Sequence, residues 1–444
     1  MSEQPILSSN TRTYVEDSAF NNDTFNRKQL ADKLTTYLER LKDGAVLSID
    51  APWGSGKSWF GRNWAKQLED EEYNVVYIDA FEQDYIEDPF MLITAEILDT
   101  IEDGNALKDD LKKGAVEVGK ALLPVAGKAI ANLVGKVLLA SPDLTGEVQE
   151  AITGGTTNIV EMTSEYIKEN LESYGQDKLA MVEFKDKLSQ YAQTQEKPIV
   201  IFVDELDRCK PNFAVSLVER IKHLFDVPNV VFVLLLNREQ LEKAVQGVYG
   251  SGTDASNYLG KFINFFFSLP QTNSSGDNYT KQDKLHQFVN LTMGKYKFEL
   301  SSTTDSFAES IIFMAYYFNL SLRDIEKSCA LYAFAYPLKD YLHLLVYVII
   351  LKVKNIELFN KLVVGDISAH IEAKNTIENL IRDVKIKNDQ YGIDYLPFYS
   401  EWHEAYINGF NNVGKNFSNE IDERDFRDIK TIFPYFAKKI DLDI

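Results

Sequence analysis

A parallel α/β sheet followed by a helical C-terminal part is the fold class this sequence predicts, and three observations predict it. Residues 44–58, Gly-Ala-Val-Leu-Ser-Ile-Asp-Ala-Pro-Trp-Gly-Ser-Gly-Lys-Ser, run from a short apolar strand through a small-residue loop into a helical pattern. Two later runs, 198–203 and 230–236, are apolar without alternation, as strands covered on both faces are. Beyond the polar stretch 271–280, almost every pattern has helical spacing.

Each element follows in order. Residues 1–22 are polar and read as a loosely held N-terminus. Leu30, Leu34, Leu38 and Leu41 define a helix over 29–41, and Trp59, Phe60, Trp64 and Leu68 define another after the loop. A second strand covers 74–79. From 84 to 195 no strong strand appears: helical patterns over 89–102 and 158–192 flank an alanine- and glycine-rich stretch, 114–140. An α/β connection is normally far shorter, so 84–195 reads as a helical insertion. The strand 198–203 ends in Asp204-Glu205-Leu206-Asp207-Arg208; a helix over 213–225, the strand 230–236 and a fifth strand over 261–269 follow. The organisation is therefore an N-terminus (1–22), an α/β core (23–275) and a helical C-terminal domain (276–444).

Composition narrows the chemistry. The formal charge of −20 opposes broad contact with nucleic-acid backbones. Cys209 and Cys329 lie far apart without metal-ligand spacing, which suits a reducing cytoplasm and argues against a zinc site or disulfide framework. The histidines, 223, 286, 343, 370 and 403, are scattered. The N-terminus is polar and acidic, unlike a signal peptide, and the apolar run 344–351 is too short to span a bilayer and reads as a buried helix.

The loop of residues 51–58 is the sharpest signal. Strand, loop and helix in that order form the context of a phosphate-binding loop. Amides around Gly54, Ser55 and Gly56 can converge on a polyphosphate at the positive end of the helix, with Pro52, Trp53 and Trp59 as the flanking members of the expected nucleotide-binding set. Lys57 would reach the β- and γ-phosphates, and the Ser58 hydroxyl would ligate Mg²⁺. The first glycine of GxxxxGK[ST] is Ala51 here, so the loop entrance must take an angle that alanine tolerates.

Asp204, at the tip of a buried strand, fits the second Mg²⁺-handling position, and Glu205 beside it can polarise an attacking water. Asn237 ends the next strand and reads equally as a γ-phosphate contact or a strand-end cap. Arg323, opening a C-terminal helix, reads as a nucleotide sensor or as an ordinary surface arginine. Arg208 is either held by its own acidic neighbours or reaches a neighbouring subunit. The sole Asn-Lys pair, Asn360-Lys361, continues Leu-Val and not x-Asp, so ATP is a better fit than GTP.

Taken together, Ala-Pro-Trp-Gly-Ser-Gly-Lys-Ser (51–58) and Phe-Val-Asp-Glu-Leu-Asp-Arg-Cys (202–209) resemble the KAP family of P-loop NTPases. The stretch opening at Tyr258 and the Arg323 helix look like the family's later elements, so the resemblance spans about residues 20–335. It implies an additional-strand ATPase fold with a helical lid and an insertion between the two nucleotide motifs. In many members that insertion carries membrane spans; bacterial members are often linked to phage exclusion or defence. Members usually carry two aspartates where this chain has Asp204-Glu205. Here Lys120, Lys128, Lys136 and Pro124 interrupt the apolar stretch, which leaves a packed hairpin or an amphipathic surface helix and not a span. The expected protein is a Mg²⁺-dependent ATPase of the cytoplasm, acting as a conformational switch with a protein partner or by self-assembly, with membrane-surface contact as the other setting. A nucleotide-gated scaffold with slow turnover is the alternative.

Overall fold

A computed structural model describes residues 18–85, 89–100, 111, 182–222, 227–270, 278–296, 298, 302–335, 341–386, 395–409 and 428–441. The expectations for 1–17, for most of the insertion (101–110 and 112–181) and for 271–277 of the polar stretch lie outside the described residues. The last part of that stretch, 278–280, opens a helix and is not linker, since polar residues suit the first turn of a helix as well as a loop. The chain divides into two compact units, one within 13–53 and 57–271, the other comprising 272–444 together with Gly54–Gly56.

The first unit is a five-stranded parallel sheet. Its strands are β1 (Ala45–Asp50), β2 (Val75–Asp79), β3 (Ile199–Asp204), β4 (Val230–Leu236) and β5 (Phe265–Ser268), in the order β2-β3-β4-β1-β5. Every pairing is parallel, with Asp79 level with Asp204 and Asp50 level with Leu236. β4 thus stands between the strand that feeds the loop and the strand that ends in Asp204, which is the additional-strand arrangement. Because β3 and β4 are buried along their whole length, they must be apolar on both faces, as their sequences are.

Two cores result. On one face Leu47, Ile49, Val200, Phe202, Val233 and Leu235 pack with Phe60, Trp64 and Leu68 of α2 (Lys57–Asp70) and with Leu34 and Leu38 of α1 (Lys28–Leu38). On the other, Val46, Ile78, Ile201, Val203, Phe232 and Leu234 meet α3 (Pro89–Thr100), the helical stretch 182–193 and α4 (Pro211–Ile221). Fully burying each such side chain contributes about 1.5–3 kcal/mol. The fifth strand is shorter than 261–269. Phe262 and Ile263 instead close the turn after α6 (Ala255–Leu259), which follows α5 (Arg238–Tyr249), through bonds to Leu259 O. Their apolar character reflects burial in that turn.

The second unit is helical: α7 (Asn278–Lys295), α8 (Ser302–Tyr317), α9 (Leu322–Ala335), α10 (Leu342–Lys354), α11 (Ile356–Val363), α12 (Ile367–Ile386), α13 (Tyr395–Asn408) and α14 (Ile432–Ile440). Residues Leu342 and Leu344–Leu351 of α10 are buried all round, as the apolar run required of a core helix. Among the described residues, no helix is long and apolar enough to cross a membrane.

Candidate functional site

The candidate side chains gather where β1 and β3 end. Parallel sheets place their ligand crevice at the carboxyl ends of the strands, where the connections diverge. The Ala51 N–H donates to Leu236 O (3.2 Å), which pins the loop entrance to β4. Positive φ in this loop occurs at Gly54 (77°) and Gly56 (84°), so Ala51 meets no conformational demand that alanine resists. Lys57, only 8% exposed, folds back and donates to Ala51 O (2.7 Å) and Pro52 O (3.4 Å). Burial pushes its ammonium below the ordinary lysine value, against the opposing pull of Asp207 and Asp204. Trp53 is exposed and its indole N–H donates to the Asp207 carboxylate. Ser55 is buried. Trp59 packs edge-on to Phe20 (5.8 Å) with the Arg27 guanidinium 6.0 Å from its ring.

Asp204 is 1% exposed. Burial raises its carboxyl, and hydrogen bonds from Ser58, Tyr77 and the Glu205 amide hold it down. Oδ1 accepts from Glu205 N (2.8 Å) and Oδ2 from the Tyr77 hydroxyl (2.9 Å). Glu205 takes a left-handed backbone (φ 58°), a conformation that costs a non-glycine residue about 1–3 kcal/mol and collects at functional sites. Its carboxylate is held by Arg208, at 2.9 Å for Oε1 and 3.0 Å for Oε2. Of the two roles open to Arg208, the intrachain one therefore has a partner in the fold.

Asn237 caps α5, its side chain accepting from Gln240 N (3.4 Å). Next to it Arg238 N donates to Asp50 Oδ1 (2.9 Å), so the carboxylate that ends β1 also anchors the start of α5. In the helical unit Arg323 opens α9 with an exposed side chain, and its N–H donates to Gly54 O (3.2 Å) within that unit.

The structure brings Lys57, Ser58, Asp204 and Glu205 together with three residues the sequence reading did not single out: Asp50, Asp79 and Tyr77. The two aspartates carried a signal, since each, like Asp204, ends an apolar strand. Tyr77 carried none, because only strand register sets its hydroxyl beside Asp204.

The donor set fits Mg²⁺ in kind. Ser58 and Asp204 offer hard oxygen ligands, and Mg²⁺ takes one or two carboxylates while keeping waters and substrate phosphates. Among the described residues no cluster of three or more His, Cys, Asp or Glu is placed to hold a metal. Bound there, Mg²⁺ would neutralise phosphate charge.

A family model for the KAP family P-loop domain matches residues 27–335. The chain belongs to the KAP family of P-loop NTPases. Among solved structures, the ORC2 protein of Aeropyrum pernix, in its ADPNP and ADP complexes, is similar at 11% identity and a TM-score of 0.35. That alignment covers 96% of this chain and 88% of the other. No curated protein matches. The KAP match takes in the phosphate loop, Asp204 and the Arg323 helix, and ends before α10.

Proposed function

We propose that this KAP protein is a Mg²⁺-dependent ATPase in which Lys57 binds the β- and γ-phosphates, Ser58 and Asp204 handle the metal, and Glu205 activates water. The observation that carries the reading is the pair of buried charged groups, Lys57 and Asp204, which converge at the sheet's carboxyl edge. A lysine and a carboxylate are rarely kept this dry unless their partners are supplied from within or by a ligand. In the parent, ATP turnover should require Mg²⁺. In Glu205→Gln, ATP should bind and persist while turnover falls about 10²–10⁴-fold. Undiminished turnover in that variant would move water activation away from Glu205.

A second reading is favoured by one observation, the capture of both Glu205 oxygens by Arg208. In it the resting protein is a nucleotide-gated scaffold with slow turnover, and a protein partner or self-assembly frees the carboxylate. Arg208→Ala then raises basal turnover. A fall in turnover together with lost ATP-dependent assembly, measured by light scattering, would assign Arg208 to a neighbouring subunit's nucleotide. The Asn237 and Arg323 contacts to nucleotide belong to the same proposal. So does a role for the switch in antiviral defence, for which phage challenge of cells carrying parent or Lys57→Ala protein is the direct assay.

A further inference from the structure

The least expected neighbour of Asp204 is a tyrosine on the edge strand. β2 and β3 run in register with Tyr77 level with Phe202, and the two rings stack at 5.7 Å and 18°. From that seat the Tyr77 hydroxyl reaches two residues further along β3 and donates to Asp204 Oδ2 at 2.9 Å. Three further features converge on this phenol. The Arg62 guanidinium lies over its ring at 4.9 Å and is tied to Asp79 at 3.5 Å. Residue 61 of the helix after the phosphate loop is glycine: a Cβ there would come within 3.2 Å of the Tyr77 oxygen and 2.1 Å of Leu235 Cδ1. Phe202 and Leu235, which flank it, belong to an apolar core.

A phenylalanine would fill the same space against Phe202 without a polar atom to satisfy. Burying a hydroxyl in such surroundings costs free energy unless it is hydrogen-bonded. The one hydrogen bond this hydroxyl makes among the described residues is to Asp204. With Oδ1 held by the Glu205 amide and Oδ2 by Tyr77, the carboxylate cannot pivot. A pre-set carboxylate loses no rotational freedom when a cation arrives.

We propose that Tyr77 is a positioning residue: it fixes the Asp204 carboxylate in the orientation that receives Mg²⁺, acting through Asp204 and not on nucleotide. This rests on the reading of Asp204 as the metal-handling carboxylate.

The test is Tyr77→Phe, compared with the parent and with Asp204→Asn, in two binding measurements. Affinity for a fluorescent ATP analogue is measured in EDTA and across a Mg²⁺ titration. Bound Mn²⁺ is counted by electron paramagnetic resonance in the presence of the same analogue. In EDTA, Tyr77→Phe should bind as the parent does, since the phosphate loop is untouched. The Mg²⁺ or Mn²⁺ concentration for half-saturation should rise about tenfold, as expected for losing a hydrogen bond to a charged group. A merely structural tyrosine would shift thermal unfolding and leave that split between EDTA and metal unmoved. Equal metal half-saturation in Tyr77→Phe and parent, with Asp204→Asn impaired, overturns the positioning role alone. Unimpaired metal binding in Asp204→Asn overturns the underlying reading and the proposal with it. Should Tyr77→Phe fold poorly, Arg62→Gln, which loosens the same ring from the side, carries the same expectation with a smaller shift.

Discussion

Both units of this protein bury polar side chains, and they do so in opposite ways. In the α/β unit the buried groups include charged ones beside neutral side chains such as Ser48 and Asn63: Lys57, at 8% exposure, opens α2, and Asp204, at 1%, ends β3. In the helical unit the fully buried cluster is neutral. Tyr347 Oη meets His403 Nε2 at 2.8 Å, and His403 Nδ1 meets His370 Nδ1 at 2.9 Å, so one imidazole donates and the other accepts. Aromatic rings wall this chain in: Tyr406 stacks on His370 at 3.5 Å, and Trp402 on His403 at 5.7 Å. Burial drives His370 down to about 4 and His403 well below its ordinary value, the latter helped by its neighbour. Neutral groups that bond to one another, with His370 Nε2 left unpaired among the described residues, serve packing. Lys57 instead donates to the backbone carbonyls of Ala51 and Pro52, and Asp204 accepts from an amide and a hydroxyl; under the function proposed above, both serve a ligand. Burial of polar atoms alone does not mark a site; the sign and the partners do.

The largest effect that would break this contrast is at Lys57. Lys57→Ala should weaken ATP binding at least about a hundredfold, as loss of a charge-assisted contact to phosphate requires, with the fold intact by circular dichroism. Equal affinity by calorimetry would place the buried ammonium with the structural groups. Next is His403→Leu, which strands the Tyr347 hydroxyl and His370 Nδ1. Each orphaned buried group costs about 1–3 kcal/mol, so thermal unfolding of the helical unit should drop by several degrees while ATP affinity is unchanged. Loss of ATP binding there would dissolve the distinction.

The histidine pair also sets a pH dependence. Folded, both stay neutral far below the ordinary histidine value, whereas unfolded they protonate near about 6.5. Below that point the unfolded chain binds protons that the folded one refuses, so stability is full above about 6.5 and falls as pH drops toward 4. Denaturant midpoints measured across this range should decline in the parent, and more gently in His370→Asn. A flat parent profile would mean that the pair is not held neutral. Smallest is Trp53→Phe, which removes the indole bond to Asp207 at an exposed position. ATP affinity should change by less than about fivefold, and a larger loss in titration would make the tryptophan part of the binding surface.

Local pattern alone determined much of this protein. The continuous apolar runs of β3 and β4, the loop of residues 51–58 and the apolar all-round helix of α10 are legible because backbone geometry and full burial leave a direct imprint on consecutive residues. Lys57, Ser58, Asp204 and Glu205 could be named as candidates for the same reason, since a loop or a residue pair that follows such a run is a local feature of the chain. The fifth strand was read too long because Phe262 and Ile263 are buried in a turn, and apolar character reports burial whichever backbone carries it. Only tertiary structure could decide that Tyr77 meets Asp204, that Trp53 meets Asp207, and that His370 and His403 share a hydrogen bond. Those partners lie 127, 154 and 33 residues apart. Their meeting depends on strand register and helix packing, which no local spacing records.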